Sequence, residues 1–349
     1  FSIYYLTTDP AIIAVLFFIQ ALVGIQLIVG YKTRIATVLA FLFVVSLQHR
    51  NMYVLSYADT LYRLLLFWAM FLPLGERWSI DAVNRVSLPR LQISSMASVL
   101  ILFQMVSMYF LNQYHKSQSE LWLNGDATTI ILGTTEITHL LGPYMGYFPT
   151  ALEAGTYFWY YLLLSSVLLI LFTGRKRTIL VGLFVFGHTM FVLTVRIGAF
   201  PYVSYAGLLL FLQASFWNDI QQMRKYGERI STVYRSLKQF TEEKASKIPY
   251  YRIENQTFRK VRSTAGTIAV VVIMMSLLIG VGSAFLVTAG VSEESPMTQE
   301  ISETAKSVGV FAPAWDIFAP NVRTHDRYYI MAAETSQGDK LELYNSNNL

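Results

Sequence analysis

Eight apolar stretches divide this chain, at roughly 11–30, 34–48, 59–75, 94–112, 157–173, 178–196, 201–217 and 265–289. A helix needs roughly 20 apolar residues to cross the hydrocarbon core, and about 17 at the short end. The stretches 11–30, 94–112, 178–196 and 265–289 are long and clean, and 34–48 is the shortest. Only 14% of the residues are charged and 54% are apolar, whereas soluble domains carry about 25% charged residues. That balance excludes a soluble globular chain and a disordered one. It predicts an all-α polytopic membrane protein of about eight transmembrane helices, with the lipid bilayer as its first partner.

The basic residues sort with these stretches. Nineteen of the 27 Lys and Arg fall on one side, in the loops holding Lys32 and Arg34, Arg77, Arg85 and Arg90, Arg175 to Arg177, and in 218–263. Seven fall on the other (Arg50, Lys116, Arg196, Lys306, Arg323, Arg327, Lys340), and Arg63 lies within a stretch. The positive-inside rule makes the rich side cytoplasmic, which suits the inner (plasma) membrane. The net charge of +5 then reports loop placement, not nucleic-acid binding. Residues 1–10 and the C-terminus fall outside. A chain that opens on Phe1 with its N-terminus outside points to a ninth helix upstream.

Two domains follow: 1–289, a transmembrane domain that includes the basic loop 218–263, and 290–349, a small exoplasmic tail. Strand-like runs at 328–333 and 340–344 flank a Gly338-Asp339 turn signal, so the tail is read as a β-containing element. Segment 218–246 has helical charge spacing and reads as a cytoplasmic surface helix. Stretch 127–152, broken by Glu136, His139, Pro143 and Pro149, reads as interfacial or re-entrant. No internal repeat is visible, which disfavours an inverted-repeat transporter.

Ionisable residues inside spans are costly, so each is a functional candidate. Asp59 and Arg63, four apart, share a helix face, either as a structural ion pair or as part of a site. Lys116 lies beyond the outer end of 94–112 among aromatic residues, with Tyr109 before it and Trp122 after it. Partly desolvated, it is a candidate base; otherwise it is a snorkelling lysine of an aromatic belt. His188 sits in mid-span, where a lone histidine is more often packed than catalytic, and Arg196 ends the same span. Together these residues place ionisable groups from separate segments in one leaflet, which points to a polar cavity opening outward. Glu136 and His139 fall at the same opening or on a solvated edge.

The chain has no cysteine, which removes disulfides, thiolate metal ligands and thiol nucleophiles. No dinucleotide, P-loop, zincin or nucleophile-elbow motif occurs. The five histidines show no ligand spacing, so no metal is expected. The sequon Asn255-Gln256-Thr257 falls on the cytoplasmic side of this topology.

The run His49-Arg50-Asn51-Met52-Tyr53-Val54-Leu55-Ser56-Tyr57-Ala58-Asp59 leads into Leu64 to Gly75 and then Arg77-Trp78-Ser79-Ile80-Asp81. It resembles the HTTM domain, the multi-span module shared with vitamin K-dependent gamma-glutamyl carboxylase. Tyr109 to Lys116 with Trp122 and Gly125 resembles that family's Tyr…Lys…Trp-x-x-Gly stretch. Gly187-His188 with Gly198-Ala199-Phe200-Pro201 resembles its late span pair. Trp315-Asp316-Ile317-Phe318-Ala319-Pro320-Asn321 resembles the lead into its tail.

The resemblance implies that Lys116 is the base that deprotonates a reduced quinone of the naphthoquinone type. Asp59, Arg63 and His188 would be further catalytic residues, and Tyr109, Trp122 and Arg196 would bind the cofactor. The chain departs from the carboxylase in two places. Ala58-Asp59 stands where that enzyme carries an essential histidine, and the tail has only about 60 residues where that enzyme has a large lumenal portion. Two readings of function stand: a carboxylase-like enzyme acting on a secreted or lipid substrate, and a non-enzymatic membrane subunit that anchors a complex or assists maturation or export of a secreted peptide. A transporter or channel ranks below both.

Overall fold

The structure is a computed structural model and describes residues 2–85, 88–90, 92–226, 236, 239–250, 315–324, 332–334 and 340–342. The apolar stretch 265–289, the sequon and most of 290–349 lie outside the described residues. Twelve α-helices are described: α1 (Pro10–Val29), α2 (Thr33–Arg50), α3 (Tyr57–Ala69), α4 (Ile80–Val83), α5 (Met96–Ser117), α6 (Glu120–Leu123), α7 (Ala127–Gly133), α8 (Pro149–Leu164), α9 (Leu168–Leu171), α10 (Gly174–Thr194), α11 (Phe200–Leu209) and α12 (Ala214–Tyr226). In the tail, β1 (Ala332–Glu334) pairs antiparallel with β2 (Lys340–Glu342), Ala333 opposite Leu341.

Four helical units among the described residues are long and apolar enough to cross a membrane: α1, α5, α10, and α8 continued through a 3-10 turn into α9, Pro149–Leu171. Stretch 34–48 makes the longer helix α2 of 18 residues, whereas two other apolar stretches make shorter helices than their apolar lengths suggest. Stretch 59–75 is helical only to Ala69, because the residue before Pro73 is steered out of the helical region. Stretch 201–217 becomes α11 of 10 residues, followed by a turn and α12. The apolar count measures burial or lipid contact, whereas the helix needs uninterrupted backbone bonding as well.

The caps explain where the helices begin. Asp9 accepts from Ala11 N at 2.8 Å ahead of Pro10 at the first position of α1. Gly30 closes α1 with φ 70°, and its Cβ position would lie 2.2 Å from Ser79 Cβ, so only glycine fits. Asp59 Oδ2 accepts from Ser56 N and Ser56 Oγ at 2.8 Å each, closing a capping box on α3.

Almost none of α1 is buried and more than half of α5 is. Helix α1 is apolar on all faces, as a lipid-facing span is. It packs with α2 and α3 through Val23, Ala40, Val44 and Leu66. The main core surrounds α5, with Leu61, Met105, Leu163, Phe184 and Leu208 fully buried around it. Segment 127–152 is neither a span nor a single helix. It holds α7, a 3-10 turn at Gly142–Tyr147, and a bridge from Thr138 to Val195.

The basic loops are tied by acids. Asp81 accepts from Lys32 N, Thr33 N and Thr33 Oγ at 2.8, 2.8 and 2.6 Å, capping α2 from a distance. Glu76 pairs with Arg85 at 3.1 Å and with Arg90 at 3.0 Å. Burial acts to raise the Glu76 carboxyl, but the Arg90 amide and the two guanidinium groups outweigh it and hold it below the ordinary carboxylate range.

Candidate functional site

Helix α5 carries an unusual load of polar side chains for an apolar span. Gln104, Asn112, Gln113 and Lys116 are all buried, and each polar group withdrawn from water needs a partner or a purpose. Gln104 receives Trp68 Nε1 at 2.5 Å. The last two turns of α5 face residues 315–318, some 200 positions further along the chain. Asn112 Nδ2 donates to Trp315 O at 2.7 Å and to Ile317 O at 3.1 Å. Lys116 Nζ donates to Ile317 O at 2.7 Å, and Trp122 Nε1 donates to Phe318 O at 2.7 Å. Tyr57, at the start of α3, donates to Asp316 Oδ1 and packs its ring against Trp315.

This segment is held against its own preference. Trp315 and Phe318 have φ of 57° and 53°. Bulky side chains seldom adopt that left-handed region, at a cost of about 1–3 kcal/mol each. The five hydrogen bonds from α3, α5 and α6 offset that cost.

Lys116 is 1% exposed. Its ammonium lies 3.8 Å from the centroid of the Trp122 ring, a close cation–π contact. Asp316 is the acidic group acting on it through space, and no carboxylate within ion-pair reach is found among the described residues. One carbonyl and one indole face therefore hold a group with three donors.

The ammonium edges a cavity of about 430 Å³, within the usual range for small-molecule sites. Its wall is carbon-rich, from Met108, Ile131, Leu152, Phe158, Trp159 and Phe191 among others, with Lys116, Asn112, Tyr109, Thr128 and Thr194 among its polar points. Tyr109 leads onward to His188, with Oη 2.9 Å from Nε2. His188 is fully buried within the rings of Trp159, Phe191, Phe200 and Tyr205, and its Nδ1 has no hydrogen-bond partner among the described residues.

The structure thus brings together Lys116, Tyr109 and Trp122 on the cavity wall, with His188 behind Tyr109. It places the other expected site residues elsewhere. Asp59 caps α3. Arg63 Nη1 donates to Gln48 Oε1 at 3.0 Å, and Gln48 Nε2 donates to Asp59 O at 2.9 Å, so Gln48 links the two where a direct ion pair was expected. The arithmetic of four residues per turn identified a shared face but not the better local partners. Arg196 is exposed, and its backbone N donates to Ile137 O at 2.7 Å. Glu136 accepts from Arg323, and His139 N bonds Thr194 O. Asn112 and the carbonyls of 315–318 belong to the site without having been singled out. An amide buried in an apolar span was the available signal for Asn112. Backbone carbonyls carry no residue-type signal at all.

A family model described as HTTM domain matches residues 4–217, more than half of the chain. That span holds α1 to α11, with Lys116 and every other side chain named above except those of 315–323. No curated protein and no solved structure matches the chain.

Proposed function

The chain belongs to the HTTM domain family, and on that premise we propose a membrane protein whose buried cavity binds a reduced quinone or similar lipid-soluble cofactor, with Lys116 as the base. The observation that carries this reading is the position of Lys116: buried, edging a carbon-lined cavity of about 430 Å³, and fixed, among the described residues, by one carbonyl and one indole face. The group fits on chemical grounds. A ring body suits the apolar wall, and an oxygen at its rim meets the ammonium, the Asn112 amide or the Tyr109 phenol.

When bound, the reduced quinone supplies two electrons and two hydroxyl protons for reaction with dioxygen. The rest falls to the chain. Ile317 O and the Trp122 face keep Nζ in one place. Nζ is the group that would take up a proton from a hydroxyl at the cavity's polar end when neutral, and that would face that oxygen as a donor when charged. Tyr109 on the wall and His188 behind it form a second proton-handling pair. The apolar residues exclude water from both.

The proposal extends to the topology: eight spans in this chain within the plasma membrane, a cytoplasmic basic loop at 218–263, and the β-containing tail outside. A tag at residue 349 is then reached from outside and one near residue 240 is not; the reverse accessibility overturns this arrangement. The chemistry is tested by oxygen uptake of the purified protein with a reduced naphthoquinone, wild type against Lys116→Arg. Arginine stays protonated and cannot act as a base. Uptake that disappears in the folded variant supports the proposal, and equal uptake by both proteins overturns the role of Lys116. No uptake by either favours a non-enzymatic subunit acting on a secreted peptide or membrane partner.

A further inference from the structure

The cavity wall is not uniformly buried. Of its lining residues, Leu141, Ala151, Ala154, Phe186 and Met190 are exposed, and Gly155 is half-buried. They come from the loop before the 3-10 turn, from α8 and from α10. Helices α8 and α10 both belong to units long and apolar enough to cross a bilayer. The exposed part of the wall therefore lies on lipid-facing surface. On the outward side of α8, three of the residues that line the cavity are small, Ala151, Ala154 and Gly155, whereas Leu152 and Trp159 face inward and are buried. A Cβ built on Gly155 meets nothing within 4 Å.

The depth agrees. The cavity reaches Phe158, nine residues into α8 from Pro149, and Phe186, eight residues before the end of α10 at Thr194. At 1.5 Å per residue both lie about 12–14 Å from the helix ends, inside a hydrocarbon layer about 30 Å thick. The end at which Lys116 sits is lined by Ile317, Phe318 and Trp122. One end is therefore roofed by the hydrogen-bonded segment 315–318, and among the described residues one flank is left open between apolar helices.

We propose that this flank is a lateral portal, through which a membrane-dissolved ligand enters from the bilayer and along which its alkyl or isoprenoid chain lies at Gly155 while its polar head meets Lys116. This deepens the proposed function by naming the source and shape of the ligand. It rests on the membrane placement of α8 and α10.

The absence of cysteine permits a direct test. A single cysteine is placed inside the cavity by Leu132→Cys, or by Met108→Cys as an independent second site, and the protein is held in lipid nanodiscs. Labelling by a long-chain alkyl maleimide dissolved in the bilayer is compared with labelling by a charged sulfonated maleimide in water. The alkyl reagent is expected to label faster. Gly155→Phe is expected to slow it roughly tenfold, the rate equivalent of about 1.4 kcal/mol. Gly182→Phe, on the lipid-facing side of α10 with equally open space and off the cavity wall, is expected to leave it unchanged. Faster labelling by the charged reagent, no labelling at either cysteine, or equal rates in Gly155→Phe and Gly182→Phe overturns the portal.

A second arm adds a reduced naphthoquinone with and without an isoprenoid chain. Slower labelling with the chained compound supports portal and quinone reading together. Portal behaviour without quinone protection supports the portal and counts against the quinone. Quinone protection with Gly155→Phe silent keeps the quinone and removes the portal.

Discussion

Two charged side chains are drawn away from water, half-buried Glu76 after α3 and buried Lys116 at the end of α5, and their surroundings differ in kind. Glu76 has a side chain 11% exposed and is met by two guanidinium groups and an amide. Lys116 is 1% exposed and is met by one carbonyl and one aromatic face. Opposite charges satisfy the first, so its work is finished in folding. The second keeps unused donor capacity at the edge of a cavity. Withdrawing a charge from water costs several kcal/mol unless it is paired, so a thinly paired amine beside open volume is the feature on which the proposed ligand site rests.

The largest expected break in this contrast comes at Lys116. Lys116→Arg abolishes quinone-dependent oxygen uptake in a protein that still purifies as a folded monodisperse species. The corresponding change at the other charge, Glu76→Gln, leaves uptake unaltered. Uptake lost equally in both variants removes the contrast between them.

The next effect is at Asn112. Its amide satisfies two carbonyls of a segment held in left-handed geometry. Asn112→Leu leaves Trp315 O without that donor and costs about 1–3 kcal/mol. The segment loosens, so a cysteine introduced at buried Val322 reacts faster with maleimide. An unchanged rate shows that Tyr57, Lys116 and Trp122 hold the segment without Asn112.

Much of the fold was legible in the sequence because bilayer solvation writes itself in residue type. The long apolar runs at 11–30, 94–112 and 178–196 each contain a spanning-length helix. The shortened helices at 57–69 and 200–209 were not legible in apolar counts, since Pro73 and the turn after Leu209 act through the backbone. At the site, Lys116, Tyr109 and Trp122 stood out as a motif and lie together on one wall. The role of Asp59 was visible only in part, for a carboxylate at the start of a helix is equally a cap and a site residue. The Ile317 carbonyl that fixes Lys116 had no sequence signature, because every residue carries that group.

A smaller effect separates those two meanings of Asp59. As the closing residue of a capping box, its change to Ala costs about 1 kcal/mol and leaves oxygen uptake intact. Uptake lost from a stable Asp59→Ala protein moves Asp59 from the cap into the site.

The smallest effect is the pH response of the loop that holds Glu76. The native Glu76 carboxyl is held below its unfolded value, so it contributes stability above the unfolded pKa, near 4.3 in a free chain. That contribution fades as pH falls from there through the lowered native value. Glu76→Gln removes it, at a cost of about 1–2 kcal/mol near neutral pH, in the range of a charge-assisted hydrogen bond. The thermal midpoints of wild type and Glu76→Gln in detergent are therefore expected to differ at pH 7 and to converge as the pH falls below about 4. A difference that persists at acid pH means that Glu76 acts through its shape in the loop and not through its charge. The contrast with Lys116 would then rest on packing alone.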